Sequence, residues 1–155
     1  MTGKIESRLA DLGITLPATS APLANYVPTR VLGTSLYVSG QVPARDGKDV
    51  YTGKLGADYS IEEGQDAARI CAINILAHLR DAVGGDLDRV VNVVRLGGFI
   101  NAVPEFTDHP KVLNGASDLM VEVFGDAGRH ARAAVGVYSL PRNVPVEVDA
   151  IFEIA

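Results

Sequence analysis

Arg132 and Glu147 are the residues whose types and placement most invite chemistry in this chain. A guanidinium presents a planar fork that can grip a carboxylate through two parallel N–H···O bonds. A carboxylate close by could orient a water, or exchange a proton with whatever the fork holds. Arg132 immediately precedes, and Glu147 lies within, the last two stretches of β pattern, 133–138 and 144–154, which are joined by Ser-Leu-Pro-Arg-Asn. If these fold as an antiparallel hairpin about 140–143, Arg132 falls level with Glu147 and Asp149. A purely structural Arg–Glu pair between strands has the same pattern, and pairing alone does not separate the two readings.

Other chemistries find little support. Metal sites need two or more ligands at workable spacing, and no pair among His78, His109 and His130 has it. No metal site is expected. His130, two residues before Arg132, could line a site, while His109 belongs to a helix entry. The single Cys71 excludes an intrachain disulfide and a multi-Cys zinc site, and it falls on an apolar helical stripe, as a core thiol would. There is no Gly-x-Ser-x-Gly elbow and no phosphate-binding loop. Gly97-Gly98 marks a bulge or a close backbone approach. The basic cluster Gly128-Arg-His-Ala-Arg132 has no aromatic platform beside it, so it is weak support for nucleic-acid binding.

The elements that must position these residues are legible in the periodicity. Residues 4–12 read as a short amphipathic helix stopped by Gly13, and 15–28 as a loose segment with Pro17, Pro22 and Pro28. Residues 35–41 read as a strand with a shorter partner at 31–32, and 45–54 as a loop. Residues 60–83 form the strongest helix: Ser60 and Glu63 make a capping box, and Ala68, Cys71, Ala72, Ile75, Leu79 and Ala82 recur at helical spacing. Residues 89–100 are β-branched and apolar on both faces, as a central strand should be. A second long helix is predicted over 110–124, with Pro110 in its first turn and Gly125 as its stop. In the final strand Val144, Val146, Val148, Ala150, Phe152 and Ile154 share one face, and Glu147, Asp149, Ile151 and Glu153 the other.

The predicted order, β-β-α-β-α-β-β, is an α+β class with a mixed sheet and two long helices on one face. Two helices cannot cover both faces, so the other must meet another subunit. A homo-oligomer with facing sheets is expected. The chain has 155 residues, enough for one domain with a real core. Its 14 Lys+Arg against 19 Asp+Glu give a net charge of −5, which argues against general binding of nucleic acid or anionic membranes. No apolar run approaches a membrane span, and the first residues lack signal-peptide features, so a soluble, cytoplasmic protein is expected.

Three segments carry a resemblance. Leu36-Tyr-Val-Ser-Gly-Gln41 is similar to the N-terminal strand motif of the RidA/YjgF family of enamine/imine deaminases, also labelled endoribonuclease L-PSP. Arg132-Ala-Ala-Val, followed by Leu140-Pro-Arg-Asn-Val-Pro-Val-Glu-Val-Asp-Ala150, resembles its C-terminal signature, and the run 84–91 resembles its helix-to-strand turn. The resemblance spans roughly residues 20–155 in one order, leaving the N-terminal helix as an addition. It implies a chorismate-mutase-like fold, a homotrimer with active sites between subunits, and no metal or organic cofactor. It also implies hydrolysis of reactive 2-imino or 2-enamino acids, of the 2-iminobutanoate/2-iminopropanoate type, to 2-keto acids and ammonia. By the same resemblance Arg132 anchors the substrate carboxylate and Glu147 positions water or moves protons. Tyr26 matches the N-terminal tyrosine, Ser39 and Gly40 the strand-end pair of the cleft, and Asn114 the helix asparagine. Ala133 and Ala134 stand where the family commonly has Ser and Cys, and the segment 99–113 is longer than usual, which marks a divergent branch. A non-catalytic trimer binding small carboxylates is the alternative, and it would need Arg132 but not Glu147. A ribonuclease or translation inhibitor is disfavoured by the acidic charge.

Overall fold

Local signals set the helices. The structure, a computed structural model, describes residues 2–155. The longest helix, preceded by a short α1 (Lys4–Asp11), is α2 (Ile61–Ala82). It starts at the capping box, where Ser60 Oγ accepts from the Glu63 amide at 3.2 Å and Glu63 Oε2 accepts from the Ser60 amide at 2.8 Å. Its stripe of Ala68, Cys71, Ala72, Ile75 and Leu79 is fully buried. α3 (His109–Phe124) carries Pro110 in its first turn and buries Leu113, Ala116 and Met120.

The strands are β1 (Thr29–Leu32), β2 (Ser35–Gln41), β3 (Ala44–Arg45), β4 (Lys48–Asp49), β5 (Val90–Asn101), β6 (Ala131–Val137) and β7 (Val146–Ile154). β3 and β4 form a small hairpin that starts one residue before the segment 45–54, read from sequence as a loop, and otherwise lies within it. Asp46 and Gly47, both at positive φ, make its turn. The other five strands form one mixed sheet in the order β1-β2-β7-β5-β6. Only the β5–β6 pair is parallel, with α3 as the crossover that a parallel pair requires.

This order corrects the hairpin expected from the sequence. β6 and β7 are not neighbours, because β5 lies between them and pairs with both. The connection 138–145 passes over the C-terminal end of β5 instead of turning back beside it. The fully buried Asn101 holds it there, its Nδ2 donating to Val144 O at 3.1 Å and to Asn143 Oδ1 at 3.0 Å. The physical reason is that β5 is apolar on both sides and gains most from two strand partners. A short loop can cross two strand spacings, roughly 10 Å, when it runs over strand ends.

α2 and α3 cover one face of the sheet, as expected. The inward residues of β7, from Val146 to Ile154, pack against them. The other face is open. Tyr37, Phe99, Val135 and Ile151 lie on it, and Tyr37 and Val135 are 43% and 46% exposed. Gly97 and Gly98 serve close approach on the two faces. A Cβ on Gly97 would overlap the Asp149 carboxylate on the open side, and one on Gly98 would come within 2.6 Å of Leu113 on the helix side.

α1 is knotted to the turn before β5. Asp88 accepts from the Lys4 and Ile5 amides, both at 2.8 Å, and Glu6 accepts from the Leu87 amide at 2.8 Å. These bonds satisfy donors that a helix start leaves open. Among the described residues, no helix is long and apolar enough to cross a membrane.

The α2–α3 contact depends on Gly115. A Cβ there would overlap the carbonyl oxygen of Gln65, a backbone atom that cannot swing away. Gly115→Ala should therefore force the helices apart and cost about 2–3 kcal/mol, lowering Tm by roughly 5–10 °C. A thermal melt within 1–2 °C of wild type would refute this close-approach argument.

Candidate active site

Arg132 leaves the sheet from its edge strand. In β6 it lies opposite Leu96, a core residue, so its side chain points to the helix face and reaches α3. Nη1 donates to Asn114 Oδ1 at 2.9 Å and to Ser117 Oγ at 3.0 Å, and Nη2 donates to Pro110 O at 3.3 Å. These contacts use three of the five N–H groups of a guanidinium. Nε–H and one Nη2–H are left over. All three partners are neutral, and among the described residues no carboxylate pairs with Arg132. The side chain is thus held in place while its charge stays uncompensated and part of its fork stays free.

Glu147 sits elsewhere. It alternates with the buried Val146 and Val148 and so faces the open side of the sheet. There it fills the place a side chain at residue 40 would take: a Cβ on Gly40 would sit 2.7 Å from Glu147 Oε2. Burial, and then the neighbouring Asp149 charge, push the Glu147 carboxyl above its ordinary value of 4.5. Asp149 itself is paired with Arg95 at 3.6 Å. Ser39, beside Gly40 at a β-bulge, ties down the segment carrying Tyr26. Its hydroxyl donates to Val27 O at 2.8 Å and its amide to Pro28 O at 2.9 Å. Tyr26 is 56% exposed.

The sequence-derived candidates therefore fall into two groups. Arg132 and Asn114 meet at the β6–α3 edge, and Gly40 meets Glu147 where β2 lies beside β7, with Ser39 next to them tying down the segment that follows Tyr26. Within one chain the groups do not meet. Arg132 is aligned with Leu96 and Glu147 with Phe99, on strands to either side of β5. Two strand spacings and three residues of rise put their backbones roughly 14 Å apart, and the side chains leave opposite faces. Arg132 is not level with Glu147, contrary to the hairpin reading.

Two partners of the guanidinium were missed in the sequence, Ser117 and the Pro110 carbonyl. Ser117 had a readable signal. It lies three residues after Asn114, hence on the same helix face. The carbonyl had none, since any residue supplies one. His130, two residues before Arg132, borders this edge: its Nε2 lies 2.8 Å from Ser117 Oγ. His109 opens α3, as expected, with its ring edge-on to Phe106. Cys71 is fully buried, and burial pushes its thiol well up, as for an inert core thiol.

A mixed five-stranded sheet backed by two long helices on one face defines an α+β protein of the chorismate-mutase-like class. Residues 6–153 match the family described as YjgF/chorismate mutase-like, putative endoribonuclease, and the chain belongs to that family. It is 49% identical over 154 residues to Protein TCP17 of Trypanosoma cruzi, covering 99% of this chain and 96% of that one. It is 28% identical over 138 residues to a 2-iminobutanoate/2-iminopropanoate deaminase of Dermatophagoides farinae, covering 89% and 92%. A solved protein of unknown function from Agrobacterium tumefaciens is 51% identical, with a TM-score of 0.91 over 97% of this chain and 92% of that one.

Proposed function

We propose that this protein is a hydrolytic deaminase of small 2-imino and 2-enamino acids, working between copies of the chain in a homotrimer. The observation that carries the reading is the Arg132 guanidinium, held by three neutral acceptors with no carboxylate of its own. Such a group is ready for a ligand carboxylate, because it need not first break an ion pair. The deaminase relative supports the reaction class. The open sheet face, with its exposed Tyr37 and Val135, supports assembly. Assembly also answers the separation of the two groups: one copy supplies Arg132 and Asn114, and a neighbour supplies Glu147, Gly40, Ser39 and Tyr26.

The chemistry asks for little more. An iminium carbon is already electrophilic, so hydrolysis needs orientation, one placed water and a proton carrier. Arg132 fixes the carboxylate and hence the adjacent imine carbon. Ionised Glu147 takes a proton from water as the new C–O bond forms. It returns that proton to nitrogen, and then takes the proton of the new hydroxyl as the C=O bond forms and the C–N bond breaks, so that ammonia leaves with a 2-keto acid behind. A half-buried Glu with a raised pKa suits a group that must both accept and give. The Tyr26 hydroxyl completes the water's hydrogen bonding. Ser39, whose own hydroxyl is engaged by Val27, acts by holding the Tyr26 segment.

The test is the decay of freshly generated 2-iminobutanoate, followed by loss of its semicarbazide-trappable form. Purified protein should speed its conversion to 2-oxobutanoate and should sediment near three times the 16.3 kDa chain mass. Tight binding of pyruvate without faster imine decay would sink the enzyme reading in favour of a non-catalytic carboxylate binder. A monomer with full activity would sink the shared-site reading.

A further inference from the structure

We propose that Ser117 and His130 are positioning residues for the anion-binding fork, a relay behind Arg132 that fixes where a ligand carboxylate docks. The inference rests on the reading of Arg132 as carboxylate anchor and extends it to residues on two further segments. His130 Nδ1 lies 2.6 Å from the Gly128 carbonyl oxygen. A carbonyl only accepts, so Nδ1 carries the hydrogen. In the neutral imidazole Nε2 is then a bare acceptor, and it faces Ser117 Oγ at 2.8 Å. The serine proton is committed to that contact, which turns the lone pairs of Oγ toward the Arg132 Nη1 donor 3.0 Å away. The chain runs in one direction: guanidinium to serine, serine to imidazole, imidazole to backbone.

Directionality is what matters. A serine hydroxyl left to rotate would spend part of its time aiming its own proton at the guanidinium, where it repels. With His130 in place Ser117 is a full-time acceptor, and with Asn114 Oδ1 it occupies both Nη1 hydrogens. The guanidinium plane is then set, and Nε–H with the remaining Nη2–H stays directed outward for a carboxylate. Gly128 provides the anchor and is itself tightly enclosed: a Cβ there would overlap the Met120 carbonyl, so the turn that presents its oxygen cannot shift easily. Ser117 touches Arg132, His130 touches Ser117, and neither is placed at the reacting carbon, so both act through Arg132.

The experiment is pyruvate binding to the assembled full-length protein by titration calorimetry at pH 7.5, beside imine turnover. Ser117→Ala should weaken pyruvate about tenfold and raise KM by the same factor, with kcat within about twofold, because the lost contact orients a charged donor and not the water. Ser117→Thr, which keeps the hydroxyl, should recover most of the affinity. His130→Phe should weaken pyruvate about threefold alone and add nothing in the Ser117→Ala background, since both act through one chain. If Ser117→Ala fails to assemble, Ser117→Cys carries the same test with a weak acceptor of similar size. Wild-type affinity in Ser117→Ala, or additive losses in the double variant, would overturn the relay while leaving the Arg132 reading intact. Failure of the wild type to bind pyruvate would instead remove the anion-site reading and this relay with it.

Discussion

Arg132→Ala is expected to lower kcat/KM for 2-iminobutanoate by about a thousandfold and to abolish detectable pyruvate binding, while the protein still assembles and melts near the wild-type temperature. The size follows from two charge-assisted bonds, each about 1.5–3 kcal/mol, made by N–H groups that the folded chain leaves unused. The sparing of stability follows from exposure. Arg132 lies at the sheet edge, bonded only to neutral groups at the surface, so its removal opens no core cavity and strands no buried charge. Arg132→Lys keeps the charge but loses the fork, and it should fall between, at about 10–100-fold. Steady-state kinetics and a thermal melt on the same preparations check both halves. Retained activity in Arg132→Ala would remove the carboxylate anchor and the functional reading with it.

Glu147→Gln should cost about 10²–10⁴ in kcat and leave pyruvate affinity within about twofold, because the amide keeps the shape but cannot carry a proton. In wild type the carboxylate must be ionised to take a proton from water. Its pKa is raised, so the acid limb of kcat/KM should lie above the ordinary glutamate value of 4.5, and Glu147→Gln should flatten it. Stability moves with the same proton. A raised folded-state pKa favours the folded chain at acid pH, and that advantage is lost as pH rises through the raised value. Glu147→Gln should therefore melt higher than wild type at neutral pH. A mixture sharpens the test of shared sites. Equal amounts of Arg132→Ala and Glu147→Gln chains, unfolded and refolded together, should regain about one quarter of wild-type turnover, since each site draws one intact half from each of two copies about half the time. No regain would place both groups of each site in one chain.

Much of the fold is legible in the sequence. The ends of α2 were written locally: Ser60 and Glu63 satisfy each other's amides whatever surrounds them, and Gly84 follows at positive φ. The almost strict alternation of β7, broken only by Ile151, already shows that Val146 and Val148 go inward and Glu147 does not. The uncovered sheet face followed from counting helices. The β3–β4 hairpin was missed because two-residue strands carry no period to detect.

The sequence by itself determined which ionisable side chains are on offer and the parity of each along its own strand, because period and capping depend on neighbours a few residues away. It also determined that one sheet face would stay bare. Only the tertiary structure decided that β5 would lie between β6 and β7, and hence that Arg132 and Glu147 leave opposite faces two strands apart, one from the edge strand and one from the central strand. Strand order is set by which pairing buries most apolar surface across the whole chain, and a loop of a few residues can turn back or step over a strand end at similar cost. The same holds for the neutral cradle of Arg132. Asn114, Ser117 and the Pro110 carbonyl come within reach of residue 132 only because the β5–α3–β6 crossover lays that helix along the edge of the sheet.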